Sequence, residues 1–394
     1  MNLRSANTAL ILATLILAVV ALPSAQTQTF TLLHTFTGSP NDGANPYAGL
    51  FVDVAGNLYG TTELGGNAGD GTAFKLAGGK QTVLHNFGRG SDGAFPYAAF
   101  VMDPEGDLYS TTTYGGGAAG NGMVVKIKAK GHETALYRFC PKSDCADGET
   151  PAAGLIVDSE SNLYGTTIYG GGAHGCGSYS CGTVFKITKT GKETVLHRFT
   201  GDPDGANPWA GVVMDAKGNL YGTTVHGGRF NAGTVFEISK GGDETVLYSF
   251  TGGADGGHPY AGVVIDAKGN LYGTTFDGGA SNSGTVFKVS KASKETVLHN
   301  FIGGADGANP YAGLVMDVDG NLYGTTTAGG ASNRFGTIFK VSKSAKETVL
   351  YSFTGGSDGA NPYASLVVDA KGNFYGTTYD GGDWGVGTVF ELIP

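Results

Sequence analysis

After residue 25 the sequence offers no stretch that reads as a helix of useful length, and no second long apolar run. That leaves no support for helical bundles or for helical membrane spans in the body of the chain. Charge is sparse, at 15% Asp, Glu, Lys and Arg, and its net value is −9. The lysines are scattered, so the basic face that nucleic acid needs is missing and no nucleic-acid partner is expected. G-x-S-x-G and H-E-x-x-H are absent, and no Gly-rich loop leads into a helix. Nucleophile elbows, zinc-protease helices and phosphate cradles therefore find no support.

What the sequence does hold is one unit, repeated. It reads D-G-x-x-P-Y-A-G-L-V-x-D-x-x-G-N-L-Y-G-T-T, a Gly-rich stretch, G-T-V-F-K, then E-T-V-L-H-x-F. Its first Asp falls at Asp42, Asp92, Asp147, Asp204, Asp255, Asp306 and Asp358, in steps of 50 to 57 residues. A period of this length marks a supersecondary unit that buries its core only against its neighbours.

Each unit contains four short β-type runs separated by turn signals. In the fourth complete copy they are Trp209–Asp215, Asn219–Val225, Thr234–Ser239 and Glu244–Phe250, here called strands a to d. Asp215 and Gly218 suit a tight a–b hairpin, Asp by capping it and Gly by taking a positive φ. The chain starts, after the leader, with a lone strand d (Phe30–Phe36) and ends with a strand c (Gly387–Ile393) that has no d. Pairing these two completes a seventh blade and leaves no open edge. The expected fold is all-β: a seven-bladed β-propeller of four antiparallel strands per blade, over residues 26–394. Its a–b and c–d links share one face. The b–c and d–a links, which vary most, share the other, and function is sought there.

Residues 1–25 form a separate object. Arg4, the apolar run Ala9–Leu22 and small residues near Ala25 read as a secretory signal peptide, with an uncleaved anchor as the rival reading. The mature chain is expected to be secreted, periplasmic or on the cell surface, without a membrane span or C-terminal anchor, and monomeric. The four cysteines occur as Cys140-x4-Cys145 and Cys176-x4-Cys181. Two local disulfides are the preferred pairing among three, and a zinc site is the alternative.

The motifs D-x-x-G-N-L-Y-G-T-T, G-T-V-F-K and E-T-V-L-H-x-F resemble the GloVer tandem repeat of bacterial exported choice-of-anchor proteins, over nearly the whole mature chain. The resemblance implies a secreted or surface repeat protein with no established biochemical role. The a–b hairpin is also similar to that of gluconolactonase-type propellers, which bears on fold alone.

The uniform Asp-Gly pairs read as turn chemistry rather than an acidic binding ring. His34, His85, His197 and His299 share a position with Tyr137, Tyr248 and Tyr351 and read as structural. His174, His226 and His258 stand outside the consensus, on one face and on consecutive blades. They are candidate ligand-binding, acid–base or metal-ligating groups. Blade three departs most: Ala152 replaces an aromatic, and its long b–c loop carries Tyr169. Trp209, and Trp384 with Asp380 in the b–c loop of blade seven, are candidate sugar contacts. The reading is an extracellular binding or interaction module for carbohydrate or protein, with no required cofactor. The alternative is a lactonase-like or lyase-like propeller enzyme with a metal- or His-based site at the channel mouth.

Overall fold

The computed structural model describes residues 28–394 except 118–119, 129–130, 143, 173–175, 177–179 and 333. The expected signal peptide lies outside the described residues. Every element is a strand, and seven four-stranded antiparallel sheets form the seven blades. No helix among the described residues is long and apolar enough to cross a membrane. In blade four the strands are Val213–Met214, Leu220–Thr224, Thr234–Ile238 and Glu244–Ser249. Blade seven takes its strand d from the N-terminus: Thr29–Thr35 pairs with Thr388–Ile393, from Thr29 opposite Ile393 to Thr35 opposite Thr388.

Strand a is shorter than expected. Trp209–Val212 lies along the channel without sheet pairing, because inner strands of adjacent blades crowd at the axis. A Cβ on Gly211 would come within 2.3 Å of the Gly154 carbonyl oxygen.

The consensus residues are consumed by the scaffold. In the a–b turn of blade four, Asp215 Oδ1 accepts the backbone N–H groups of Lys217 (2.8 Å) and Asn219 (2.9 Å). Its Oδ2 accepts Asn219 Nδ2 (3.0 Å) and the Tyr221 hydroxyl (3.2 Å). Burial opposes ionisation of Asp215, but these bonds outweigh it and hold the carboxyl below its usual range. The first Thr of T-T joins blades: Thr223 donates to the Ala261 carbonyl of blade five (2.8 Å), and Thr377 closes the ring on Ala48 (3.1 Å). The second Thr joins strands b and c, with Thr224 Oγ1 2.8 Å from Thr234 Oγ1.

Packing explains the other fixed letters. Seven apolar clusters are each shared by two neighbouring blades. The Gly of L-Y-G-T-T lies under the Phe of G-T-V-F: a Cβ on Gly222 would sit 2.6 Å from Phe236 Cζ. Blade two shows the same space shared differently, with Ser110 paired to Val125.

Blade two also has Met123 where other copies carry the second ladder Thr, and Thr112 Oγ1 is left buried without a partner. An orphaned buried hydroxyl costs about 1–3 kcal/mol. Thr112→Val is therefore expected to stabilise the protein by about 1 kcal/mol, whereas Thr224→Val destabilises it by about as much. Denaturant titration checks the opposite signs.

In strand d, the His/Tyr position bonds the Asp of Asp-Gly. Six copies make this bond at 2.8–3.1 Å, through His34, His85, Tyr137, His197, Tyr248 and Tyr351. In the seventh, His299 Nε2 stands 3.4 Å from Asp306 Oδ2 and is left without a hydrogen-bond partner. The position accepts either ring because each offers a polar tip at the same reach, which is more specific than an amphipathic aromatic body. Both expected disulfides are present, Cys140–Cys145 and Cys176–Cys181.

Candidate functional site

The residue before each entry Pro has a positive φ of 50–58°, at Asn45, Phe95, Thr150, Asn207, His258, Asn309 and Asn361. Asn tolerates this left-handed backbone best among non-glycines. It also clasps the preceding blade: Asn207 Nδ2 donates to the Ile168 carbonyl (3.0 Å) and Asn309 Nδ2 to that of Phe276 (3.0 Å). Phe95, Thr150 and His258 forgo the clasp. These substitutions mark where the b–c/d–a face loses its uniformity.

In five copies a Tyr follows the entry Pro, and these rings turn into the channel mouth. Tyr47 lies 4.8 Å from Tyr97, 5.3 Å from Tyr363 and 5.8 Å from Tyr311 between ring centroids, so the rings meet across the axis. Burial raises the Tyr47 and Tyr311 hydroxyls above the ordinary phenol range. Ala152 interrupts this set, yet the larger indole of Trp209 lines the same channel mouth as Tyr47. Trp209 also packs on Tyr260 at 5.9 Å. The missing ring is thus offset by a bigger one in the next blade, and Trp209 belongs to the plug. Glu63, which sequence reasoning passed over, accepts the Tyr97 and Tyr379 hydroxyls at 2.9 Å each.

His226 and His258 converge, with ring centroids 5.3 Å apart and planes at 68°. His258 Nδ1 is held by Asp277, at 2.9 Å from Oδ1 and 3.0 Å from Oδ2. That bond, working against burial, raises the His258 imidazole above its ordinary value. Burial, then the neighbouring His258, pushes His226 down. Both backbones are fixed by pairing: Ala206 N donates to the His226 carbonyl (2.8 Å), and His258 N to that of Ala232 (2.9 Å). His174 lies outside the described residues.

Beside His226 a cavity of about 530 Å³ is lined by Cys176, Asp202, Asn207, Arg229 and Phe230 among others. A second, of about 400 Å³, opens on blade two between Arg89, Phe95 and Tyr114. Three aromatic side chains stand exposed among the described residues: Tyr114 (50%), Phe230 (52%) and Trp384 (68%). All three are on b–c loops. Asp380, in the loop of Trp384, is pushed upward by burial. Tyr169 pairs through its backbone with Glu149 at the entry to blade three. Arg229, Phe230, Tyr114 and Asp277 were missed in the sequence. Tyr114 and Asp277 share the x-Gly-Gly position of His226 and Asp380, and that shared position was their signal; Arg229 and Phe230 lie in the variable part of the loop beyond it.

Among solved structures, the chain is similar to the extracellular domain of a protein described as a one component system from B. thetaiotaomicron. That match has 10% identity and a TM-score of 0.57, and covers 91% of this chain and 40% of the other. The chain thus spans 40% of that protein's length. It is also similar to a protein described as a 6-phosphogluconolactonase from Bacteroides uniformis (16% identity, TM-score 0.50, covering 81% of this chain and 88% of that one). A third is a gluconolactonase from Xanthomonas campestris (12% identity, TM-score 0.46, covering 90% and 98%). At these identities the likeness concerns the fold. No curated protein matches. The Gloeobacter/Verrucomicrobia repeat model matches residues 19–177 and 173–390, nearly the whole chain, and the protein belongs to that repeat family.

Proposed function

We propose that this protein is an extracellular binding module that takes carbohydrate on its b–c/d–a face. The observation that carries the reading is the placement of Tyr114, Phe230 and Trp384, the exposed aromatics, all on b–c loops of one face. An exposed ring offers an apolar platform of low conformational cost, and the apolar face of a sugar is flat enough to lie on it. Arg229, Asn207 and Asp202 line the cavity at Phe230, and Asp380 and Asp383 share the loop of Trp384. They supply the few polar groups that fix a ligand's orientation. The two disulfides fit an oxidising, extracytoplasmic compartment. The enzyme alternative finds less support, because packed tyrosines occupy the channel mouth where it would act.

Glycan-array screening of the mature chain tests the reading. Trp384→Ala and Phe230→Ala are each expected to weaken binding about tenfold, or about 1.4 kcal/mol. Val318→Ala, on the exposed a–b turn of the opposite face, leaves it unchanged. A blank array, with capture of a protein ligand at the same two residues, would move the proposal from sugar to protein.

A further inference from the structure

From the convergence of His226 and His258 we infer a binding site for one divalent transition-metal ion at the junction of blades four and five. It goes beyond the carbohydrate reading and does not depend on it. The first argument is geometric. An ion 2.0–2.1 Å from one nitrogen of each imidazole, in a tetrahedral arrangement, places the ring centroids roughly 5 Å apart. The observed separation is 5.3 Å.

The second argument is the carboxylate behind the ring. Asp277 engages His258 Nδ1 with both oxygens, at 2.9 and 3.0 Å. This leaves Nε2 as the nitrogen available to an ion. A carboxylate that fixes the tautomer and orientation of a ligating His is the usual outer partner in such sites. The third argument is what blade five gives up. In four of the seven copies the pre-proline residue is Asn, at 45, 207, 309 and 361, and its amide clasps the previous blade. His258 keeps the same backbone, with φ 50°, but turns its side chain to Asp277. The position was not freed by a loop rearrangement, since Phe276 N still donates to the His258 carbonyl (3.2 Å).

Two imidazoles favour Zn(II), Ni(II) or Cu(II) over the oxygen-seeking Ca(II) and Mg(II). The remaining coordination positions would be taken by water or by an oxygen donor entering from the cavity beside His226.

The test uses the tag-free mature chain stripped with chelator and titrated calorimetrically with Zn(II), Ni(II) and Ca(II). One equivalent of Zn(II) or Ni(II) is expected to bind and to raise the Tm, while Ca(II) does neither. His226→Ala weakens binding at least tenfold, and Asp277→Asn by 10–100-fold. His258→Asn is the decisive variant, because it installs the residue four other copies use at that backbone position. It should fold as well as the parent and lose the ion. Binding that survives in His226→Ala and His258→Asn, or no binding up to about 1 mM, a Kd worth only about 4 kcal/mol, overturns the inference.

Discussion

At pH 7.5 a chain carrying Gln in place of Glu133, Glu193, Glu244, Glu295 and Glu347 is expected to melt about 5 °C above the parent, and at pH 5 most of that gap has closed. These residues open E-T-V-L-H in blades two to six, and each faces the Asp that opens its own repeat. Burial, then Asp92 beside it, pushes Glu133 up to about 7, against a smaller pull from His85 and Arg138. Burial, then Asp147, pushes Glu193 up to about 7, with Arg198 opposing. Glu244, Glu295 and Glu347 are each raised to about 7 by burial, beside His197 and Asp204, Asp255, and Asp306 respectively. In all five, Oε1 is buried without a hydrogen-bond partner.

The sign follows from linkage. Below the unfolded pKa, near 4.5, both states are protonated and these groups contribute nothing. As pH rises from about 4.5 to 7, the unfolded chain releases protons that the folded chain retains, so stability falls. Above 7 the loss is complete and constant. Water still reaches part of each Glu, so the loss is discounted to about 0.5–1 kcal/mol per site. Blade one shows the remedy in place: Gln81 stands at this position and its amide donates to Asp42 Oδ1 at 3.1 Å. Blade seven uses Phe30 there, stacked on Tyr351 at 4.0 Å. Scanning calorimetry from pH 4.5 to 8 decides the matter. An unchanged Tm at pH 7.5, or a gain that persists undiminished at pH 5, would show that these carboxyls are not the origin.

Removal of residues up to Phe36 should abolish cooperative unfolding altogether. It would strip the outer strand from blade seven and expose the Thr388–Ile393 ladder. It also deletes Phe36, fully buried in the cluster shared by blades seven and one. Phe36→Ala alone should cost about 3–5 kcal/mol, and the deletion more. A synthetic peptide of residues 28–38, added in excess, should restore a sharp melt in the deleted protein but not shift the intact one. A deletion variant with the parent's Tm would mean that the ring does not depend on this closure.

The sequence and the structure agree most where one residue's role repeats. Strand order, the split seventh blade and the two local disulfides could be read from spacing, because each depends on residues close in the chain or on a pattern seen seven times. The division of labour within T-T could not. Thr223 finds its acceptor in Ala261 of the next blade, and such pairings depend on how blades lean together. The same holds for the candidate site. The sequence placed His226 and His258 on one face, but that Asp277 orients one of them could not be read from its position, which Tyr114, His226 and Asp380 share. The split of Gly and Phe in six blades into Ser110 and Val125 in the other was legible only once the register paired them.

The pairing of Thr29 with Ile393 has one more consequence. Both ends of the propeller leave the ring side by side, at the rim where the c–d turns lie, opposite His226, Phe230 and Trp384. Whatever is joined to either end, whether a tether, a label or a second protein, therefore pulls from the back of the disc. A molecule held by its ends presents the variable loops outward, and fusion partners can be attached there without shading them.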